Sequence, residues 1–211
     1  MSETERQPAD EESSTKNPLR RRIVQVFGGL GVASFAGAML APLKNLGIAA
    51  GGSGGELSGQ ELVLASSYTP NGGGETFEVG ATITEDMLSV PDSALVYPAN
   101  HVDQNDFLIR LHRLEPDEIG PPTVEDMTAN GYVAYSAICT HLGCTVDWAE
   151  DQEADTGNPT NYCNCHGSQF DPYRGAEVVN PPADKPLPQI GVALEEGQIT
   201  LNSDFEAKVG P

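Results

Sequence analysis

The sequence predicts an all-β fold, an antiparallel sandwich, preceded by one N-terminal transmembrane helix. From residue 62 onward, short runs rich in β-branched and aromatic residues alternate with Gly, Pro, Asn and Asp, which is typical of such a sandwich. Residues 23–43 form an uncharged stretch of 21 residues, long enough to span about 30 Å of hydrocarbon as a helix. The rest of the chain is long enough for one hydrophobic core.

Seven segments are predicted strands, at residues 62–65, 77–79, 95–97, 107–112, 132–138, 190–194 and 199–201. The tripeptide Glu195-Glu196-Gly197 predicts a hairpin between the last two. Only residues 83–90 and 124–130 have weak helical character, and Thr123 is the predicted N-cap of the second. The predicted domain is therefore almost purely β.

All four cysteines and two of the four histidines lie in two short boxes. In chain order the boxes are Cys139-Thr-His141-Leu-Gly-Cys144 and Cys163-Asn-Cys165-His166-Gly-Ser168. Read as C-x-H and C-x-x-H, they offer two thiolates and two imidazoles, and each box contains one further cysteine. The pattern predicts a metal centre.

Two other interpretations fit the boxes less well. Four cysteines of an exported domain can form two disulfides in three connectivities, but that interpretation gives no role to His141 and His166. A structural zinc site has a different spacing, usually C-x2-4-C with H-x3-5-H. His101 and His112 lie outside both boxes and are interpreted as ordinary surface or strand-edge histidines.

The two boxes resemble those of the Rieske iron-sulfur proteins, whose [2Fe-2S] cluster has two His in place of two Cys on one iron. The resemblance implies two thiolate ligands on the inner iron, Cys139 and Cys163. It implies two imidazole ligands on the outer iron, His141 and His166, which face a quinol. The expected fold is a Rieske-type sandwich with one cluster per subunit, in a small subdomain at about residues 137–184.

The two remaining cysteines select a branch of the family. The resemblance implies a disulfide between Cys144 and Cys165, which is typical of the quinol-oxidising cytochrome bc type and generally absent from Rieske ferredoxins and ring dioxygenases. A disulfide requires an oxidising compartment. The Asn180-Pro181-Pro182 loop matches the family's third loop, which packs over the cluster beside the exposed histidines and Leu142.

Mixed ligands make the cluster a better oxidant. Four thiolates leave an oxidised [2Fe-2S] core with a net negative charge, whereas two thiolates and two neutral imidazoles leave none. Potentials of the mixed type are therefore higher, roughly −150 to +300 mV against about −400 mV for plant-type clusters. An imidazole can also carry a proton on its second nitrogen, which couples electron uptake to proton uptake.

Two residues are predicted to tune the potential by resemblance. Ser168 matches a serine whose hydroxyl donates to a bridging sulfide, but Phe170 stands where high-potential members have a tyrosine that donates to a cysteine sulfur. Loss of one such hydrogen bond, worth about 1 to 1.5 kcal/mol, lowers the potential by about 45 to 65 mV. A low-potential, menaquinol-like donor is then better matched.

The N-terminal sequence predicts export and membrane attachment. Arg20-Arg21 followed by Ile23 and Val24 fits a twin-arginine signal. A signal-peptidase site near residues 41–50 is the alternative to a retained anchor. With the anchor retained, we expect a cytoplasmic tail at 1–22, a single-pass anchor at 23–43, a Gly-rich hinge linker at 44–60, and an extracellular Rieske domain at 61–211.

The chain is strongly acidic, with a net charge of −20. From Asn45 onward it has 26 of its 31 acidic residues and only five of its eleven basic ones. Such a domain repels itself unless salt screens the charges, because the Debye length falls to about 3 Å at 1 M salt. The charge indicates a halophile of haloarchaeal type, or else an acidic face for a basic electron acceptor, and it argues against nucleic-acid binding.

These observations predict an electron-transfer subunit of a quinol-oxidising complex. The expected partners are a cytochrome b-type membrane subunit, a membrane quinol, and an external haem or copper protein that accepts the electron. One alternative is the Rieske small subunit of an exported molybdenum oxidoreductase such as arsenite oxidase. Another, from a different class, is a structural zinc-binding surface domain.

Overall fold

Ten β-strands in two antiparallel sheets make up most of the regular structure in residues 55–153 and 157–211, the part that the computed structural model describes. The strands are β1 (Leu62–Leu64), β2 (Asp92–Pro98), β3 (Ile109–Arg113), β4 (Tyr132–Ser136), β5 (Asp147–Glu153), β6 (Pro159–Tyr162), β7 (Gln169–Asp171), β8 (Glu177–Asn180), β9 (Gln189–Glu195) and β10 (Gln198–Phe205). Three 3-10 helices cover Asn105–Phe107, Pro116–Glu118 and Glu125–Met127. The predicted all-β, antiparallel class is confirmed.

The larger sheet has six strands in the order β1-β2-β3-β4-β9-β10. A bridge between Glu61 and Thr200 brings the start of β1 beside β10, so the sheet curls around its own core. Aliphatic side chains from all of its strands fill that core. Their burial removes apolar surface from water at about 25 cal/mol per Å², the main stabilising contribution to the fold.

Strand β4 is buried on both faces, which explains its nearly continuous apolar sequence. Tyr132 and Ala134 pack into the core of the larger sheet, whereas Val133 and Tyr135 pack into a second buried cluster. Alternate residues of a strand point to opposite faces, so one strand serves both cores. The second cluster also contains Cys139, which places the first box directly against the body of the domain.

The smaller sheet has the order β5-β6-β7-β8 and carries the two boxes. The first box lies between β4 and β5, and the second lies between β6 and β7. None of these four strands is predicted by the sequence analysis, because their sequences are largely polar and lack a regular apolar alternation. Their pairing depends on the backbone and on packing against β4.

The predicted hairpin between β9 and β10 is confirmed. Glu195 pairs with Gln198, and the two residues between them, Glu196 and Gly197, have φ of 50° and 83°. Two positive φ values are the signature of the two-residue turn that matches the twist of a hairpin. A glycine at the second position makes this turn favourable.

Three sequence predictions are wrong in detail. Residues 77–79 form no strand, and only Phe77 makes a bridge, to Tyr68. Residues 83–90 form no helix, because Thr84 and Glu85 direct their backbone pairing to the β9–β10 hairpin. Residues 124–130 contain only a single 3-10 turn, capped by Val124 rather than Thr123.

The predicted twin-arginine signal, transmembrane anchor and most of the hinge linker fall on residues 1–54, outside the described residues. Within residues 55–153 and 157–211, no helix has the length and apolar character needed to cross a membrane.

His112 is fully buried in β3, which corrects its interpretation as a surface or strand-edge histidine. Its Nε2 lies 3.2 Å from Asn161 Nδ2, and its ring lies 5.0 Å from the Trp148 ring. Burial, together with repulsion from the Arg110 guanidinium, holds the pKa of His112 well below its ordinary value. The imidazole is therefore neutral in the folded protein.

We expect this neutral histidine to make the fold less stable in acid. Above about pH 6.5 neither the folded nor the unfolded state holds the proton, but below it only the unfolded state does. The free energy of unfolding should then fall by up to about 1.4 kcal/mol per pH unit. His112→Gln should remove this contribution in denaturant titrations between about pH 5 and 6.5. Equal pH slopes for the wild type and His112→Gln would contradict it, and His101→Gln is the control.

Candidate metal centre

The two boxes form loops with the same backbone hydrogen bonds. In the first loop, the Cys139 N–H donates to the Cys144 carbonyl at 2.8 Å, and the Gly143 N–H donates to the Cys139 carbonyl at 2.9 Å. In the second, the Cys163 N–H donates to the Ser168 carbonyl at 2.8 Å, and Gly167 donates to the Cys163 carbonyl at 2.9 Å. Each loop thus folds back on its first cysteine and fixes the position of that sulfur.

A glycine stands four residues after the first cysteine of each loop for a conformational reason. Gly143 and Gly167 have φ of 80° and 85°. Residues with a Cβ rarely adopt this left-handed conformation, whereas glycine does so without strain. The glycine in each box is therefore required for the loop geometry, independently of any ligand.

The two cysteines that begin the boxes have free, buried thiols. Burial raises the pKa of Cys163, and a hydrogen bond with the Cys139 side chain raises it further. The two sulfurs are therefore neighbours in a place where an isolated thiolate is disfavoured. A bound cation supplies the compensation that two adjacent thiolates need.

The two predicted imidazole ligands also lie side by side. The His141 and His166 ring centroids are 4.8 Å apart, with their planes at 89°. Nδ1 of His141 is buried and has no hydrogen-bond partner in the described part of the chain. The His166 side chain is exposed at the surface. A buried ring nitrogen without a partner costs free energy unless something binds it, and a metal ion is such a partner.

A disulfide joins the remaining cysteines, Cys144 and Cys165, with an S–S distance of 2.09 Å. The predicted disulfide is therefore present, and it links the two loops across 21 residues of sequence. The sulfurs of Cys144, Cys163 and Cys165 all lie within 4.8 Å of one another. Because two of them are bonded to each other, only the Cys163 sulfur of this group is free to bind metal.

The segment after β8 crosses both loops and is tied to each by a side chain. Asn180 Nδ2 donates to the Gly167 carbonyl at 2.8 Å, and the Ala183 N–H donates to Ser168 Oγ at 3.0 Å. Thr140 Oγ donates to the Lys185 carbonyl at 2.7 Å. No role for Thr140 is predicted from the sequence. Its position as a small hydroxyl residue between two candidate ligands is the only sign that it has a role.

The two predicted tuning residues lie in the same buried region. Ser168 is fully buried, and its Oγ accepts from Ala183, so its hydroxyl proton is free to donate elsewhere in the pocket. Phe170 belongs to the same buried apolar cluster as Cys139 and Cys163. Its side chain offers no hydrogen bond to either sulfur.

Two aliphatic side chains are exposed, one in the first loop and one in β8. Leu142, between His141 and Gly143 in the first loop, is 63% exposed. Val179, at the end of β8 next to the Pro181-Pro182 turn, is 42% exposed. An exposed aliphatic side chain next in sequence to His141 suits a partner that is itself apolar with a polar end.

Comparison with known proteins identifies the region that contains both boxes. The model of the Rieske [2Fe-2S] domain matches residues 117–191. The chain is 41% identical over 104 residues to the cytochrome bc1 complex Rieske iron-sulfur subunit of Streptomyces lividans, covering 49% of this chain and 58% of that protein. The match spans less than two thirds of that relative's length.

A second relative comes from a haloarchaeon. The putative respiratory nitrate reductase subunit Rieske of Haloferax mediterranei is 34% identical over 133 residues, covering 63% of this chain and 57% of that protein. Among solved structures, a chain of a hyperthermophilic respiratory Complex III is 20% identical with a TM-score of 0.39, covering 84% of this chain and 98% of that one.

Proposed function

Because the chain carries a Rieske [2Fe-2S] domain, which binds one [2Fe-2S] cluster, we propose that it is an electron-transfer subunit that takes an electron and a proton from a membrane quinol. The observation that carries this proposal is the pair of adjacent imidazoles of His141 and His166 beside the exposed Leu142. The bound cluster supplies one-electron redox chemistry.

The cluster ligands are Cys139, Cys163, His141 and His166. Two buried free thiols and one buried, unpartnered ring nitrogen support this set, and the donor types fit a mixed Cys and His centre. The disulfide and the segment from Asn180 to Lys185 hold the two ligand loops together. The ligands are thus fixed by partners that do not themselves bind iron.

The histidines also handle the proton. A ring nitrogen of His141 or His166 that does not bind iron accepts a hydrogen bond from the quinol hydroxyl and then holds its proton. Leu142 and Val179 exclude water around that hydrogen bond and contact the quinol ring. Substrate recognition in this account is mainly apolar contact plus one directed hydrogen bond.

The chain works in a membrane complex. Its partners are a cytochrome b-type subunit that presents the quinol and an external haem or copper protein that accepts the electron. Residues 23–43 anchor it in a single pass, with residues 1–22 in the cytoplasm and the Rieske domain, 61–211, outside; the cluster subdomain is about 137–184. The hinge, predicted at residues 44–60, lies before residue 55, because Leu57 is buried in the core and the Gly59 N–H donates to the Leu201 carbonyl at 2.7 Å.

A halophilic source agrees with the charge of the domain. Within the described ranges, Arg110 and Asp147 form the one ion pair, with nitrogen and oxygen 3.5 Å apart. Most carboxylates therefore repel one another without a nearby cation, and molar salt screens that repulsion.

A second candidate is the Rieske subunit of an exported reductase complex. The Haloferax relative, whose name assigns it to a respiratory nitrate reductase, favours this candidate. In both candidates the chain oxidises quinol, and the two differ in the enzyme that receives the electron.

The test is to isolate the native complex and follow quinol oxidation in high salt. We expect a tagged chain to fractionate with membranes, to copurify with a cytochrome b, and to be reduced by quinol.

Leu142→Ala should slow quinol oxidation several-fold without changing the EPR spectrum, because the lost apolar contact between the leucine side chain and the quinol is worth roughly 1 kcal/mol. Val79→Ala, a 61% exposed aliphatic residue outside both boxes, is the matched control.

The outcomes separate the candidates. A copurifying nitrate reductase or other molybdenum subunit, in place of a soluble haem or copper acceptor, would establish the second one. A chain that holds its cluster but is not reduced by quinol in the native membrane would contradict both.

A further inference from the structure

A second side-chain link between the two ligand loops lies close to the disulfide. Asn164 stands between the two cysteines of the second box, and its Nδ2 donates to Asp147 Oδ2 at 2.6 Å. Asp147 is the first residue of β5, three residues after Cys144 of the first box. The disulfide joins Cys144 to Cys165, the residue after Asn164, so the hydrogen bond and the disulfide connect the same two segments.

A buried arginine holds the Asp147 carboxylate in place. Arg110 Nη2 donates to the Val146 carbonyl at 2.7 Å and lies 3.5 Å from Asp147 Oδ1. Arg110 belongs to β3 of the larger sheet and is only 6% exposed. Its guanidinium therefore fixes the backbone and the carboxylate at the point where the chain leaves the first loop. Oδ1 faces Arg110 and Oδ2 accepts from Asn164, so one carboxylate connects the larger sheet to the second loop.

The same strand contacts the second loop at another point. His112 Nε2 lies 3.2 Å from Asn161 Nδ2, and Asn161 is two residues before Cys163. Arg110 and His112 are two residues apart in β3 and so lie on the same face of the larger sheet. Asn161 and Asn164 flank the proposed ligand Cys163, and each contacts a polar group that belongs to β3 or is held by it. The position of Cys163 is thus fixed from both sides.

The hydrogen bond between Asp147 and Asn164 is weaker than the disulfide. The Asp147 side chain is 55% exposed, and water competes for its hydrogen bonds. With the disulfide intact, the loops are already joined covalently, and loss of the hydrogen bond changes little. Without the disulfide, and apart from the two free thiols, this contact is the side-chain hydrogen bond that joins the two segments directly within the described residues. Its contribution is therefore largest in a chain that lacks the disulfide.

The Asp147 carboxylate also lies close to a proposed iron ligand. It accepts a hydrogen bond from Asn164, the residue next to Cys163. Reduction adds one negative charge to the cluster, so a carboxylate near it disfavours the reduced state and lowers the potential. Arg110 offsets part of this effect, since burial lowers its pKa only to about 10 and the guanidinium stays charged at neutral pH. The midpoint potential therefore reports where this carboxylate charge lies.

We propose that Asp147 and Asn164 are positioning residues of the cluster. Their hydrogen bond holds the second loop against the first in parallel with the disulfide, and it keeps the cluster bound in chains that lack that disulfide. The inference rests on the proposed ligand set, because the hydrogen bond positions only ligands that lie in these two loops. A chain whose disulfide has not formed, as in a reducing compartment, depends on this contact.

The rate of cluster loss from the holoprotein tests the role of this hydrogen bond. The half-life of the visible absorption is measured with an iron chelator in high salt, in the wild type and in Cys144→Ser/Cys165→Ser, the disulfide-free protein. Asn164→Ala should shorten the half-life by less than about twofold in the wild type and by about fivefold or more in the disulfide-free protein. Such non-additivity is expected of two links in parallel. Asp151→Asn, which removes another exposed carboxylate of β5, is the control and should leave both half-lives unchanged.

An exchange of the two side chains separates this hydrogen bond from the other effects of each substitution. Asn164→Asp alone brings two carboxylates together and should speed cluster loss in the disulfide-free protein. Adding Asp147→Asn should restore the half-life, because the new amide donates to the new carboxylate while its oxygen accepts from Arg110. The midpoint potential should fall in Asn164→Asp, rise in Asp147→Asn, and return toward the wild-type value in the double variant.

Three results would overturn the proposal. The first is an equal half-life of the disulfide-free protein with and without Asn164→Ala, and the second is no recovery in the folded double variant with exchanged side chains. The third is a disulfide-free protein that binds no cluster, since the hydrogen bond is proposed to retain it. Failure of the ligand set is distinguishable, because a full cluster in Cys163→Ser would reject the ligands, and this inference with them, whatever the half-lives are.

Discussion

Replacing His166 with alanine is expected to abolish the EPR signal of the reduced [2Fe-2S] cluster. The ring centroids of His166 and His141 are 4.8 Å apart, which places the two imidazoles side by side as a pair of ligands to one iron would be. On the proposed assignment, alanine removes one of the four iron ligands. The same loss is expected for His141→Ala, Cys139→Ser and Cys163→Ser, measured as iron content, visible absorption and EPR intensity per protein.

Variants outside the ligand set serve as controls. Cys144→Ser and Cys165→Ser should retain a cluster of lower stability and lower potential, because they release the link between the two loops but leave the ligands in place. His101→Ala removes an imidazole outside the boxes and should leave every spectrum unchanged. A fully occupied cluster in His166→Ala would contradict the ligand assignment.

Replacing Phe170 with tyrosine is expected to raise the midpoint potential by about 45 to 65 mV, equivalent to one hydrogen bond of about 1 to 1.5 kcal/mol. Phe170 is fully buried in the cluster of side chains that contains Cys139 and Cys163. We expect a hydroxyl there to donate to one of the proposed ligand sulfurs. Reduction adds one negative charge, so the donor stabilises the reduced state more than the oxidised state.

Ser168→Ala should shift the potential in the opposite direction. Its Oγ accepts from the Ala183 N–H, and among the described residues the hydroxyl donates no hydrogen bond of its own. Removal of the hydroxyl removes a donor to the cluster and lowers the potential. Redox titrations of both variants in high salt check the pair. An unchanged or lower potential in Phe170→Tyr, with its cluster intact, would show that the new hydroxyl does not reach the sulfur.

The sequence identifies the candidate site well because its chemistry depends on local spacing. The two boxes contain all four cysteines, and the structure shows why each also contains its glycine: Gly143 and Gly167 adopt φ near +80°. The disulfide between Cys144 and Cys165 was predicted by resemblance and is present. Thr140 was missed because its role depends on the Lys185 carbonyl, 45 residues away.

Prediction of the fold succeeded where apolar residues form strands and failed where polar ones do. Strands such as β4 and β9 were recognised from their apolar runs, but β5 to β8 were not, since their sequences carry few such residues. The weak helical pattern of residues 83–90 misled because backbone bonds of Ile83, Thr84 and Glu85 to the β9–β10 hairpin take the place of a helix. Ile83 and Leu88 are nevertheless buried in the core. His112 was misjudged because one polar residue within a strand gives no sign that Trp148 and Asn161 pack against it.

Two imidazoles and two thiolates are proposed to hold the cluster. Pulsed EPR of the reduced native protein, with the histidines labelled with ¹⁵N, tests this assignment most directly. The account predicts strong couplings from two distinct imidazole nitrogens, and the labelled His101 and His112 should contribute none. A paramagnetic cluster without nitrogen coupling, or a colourless zinc protein without an EPR signal, would contradict it.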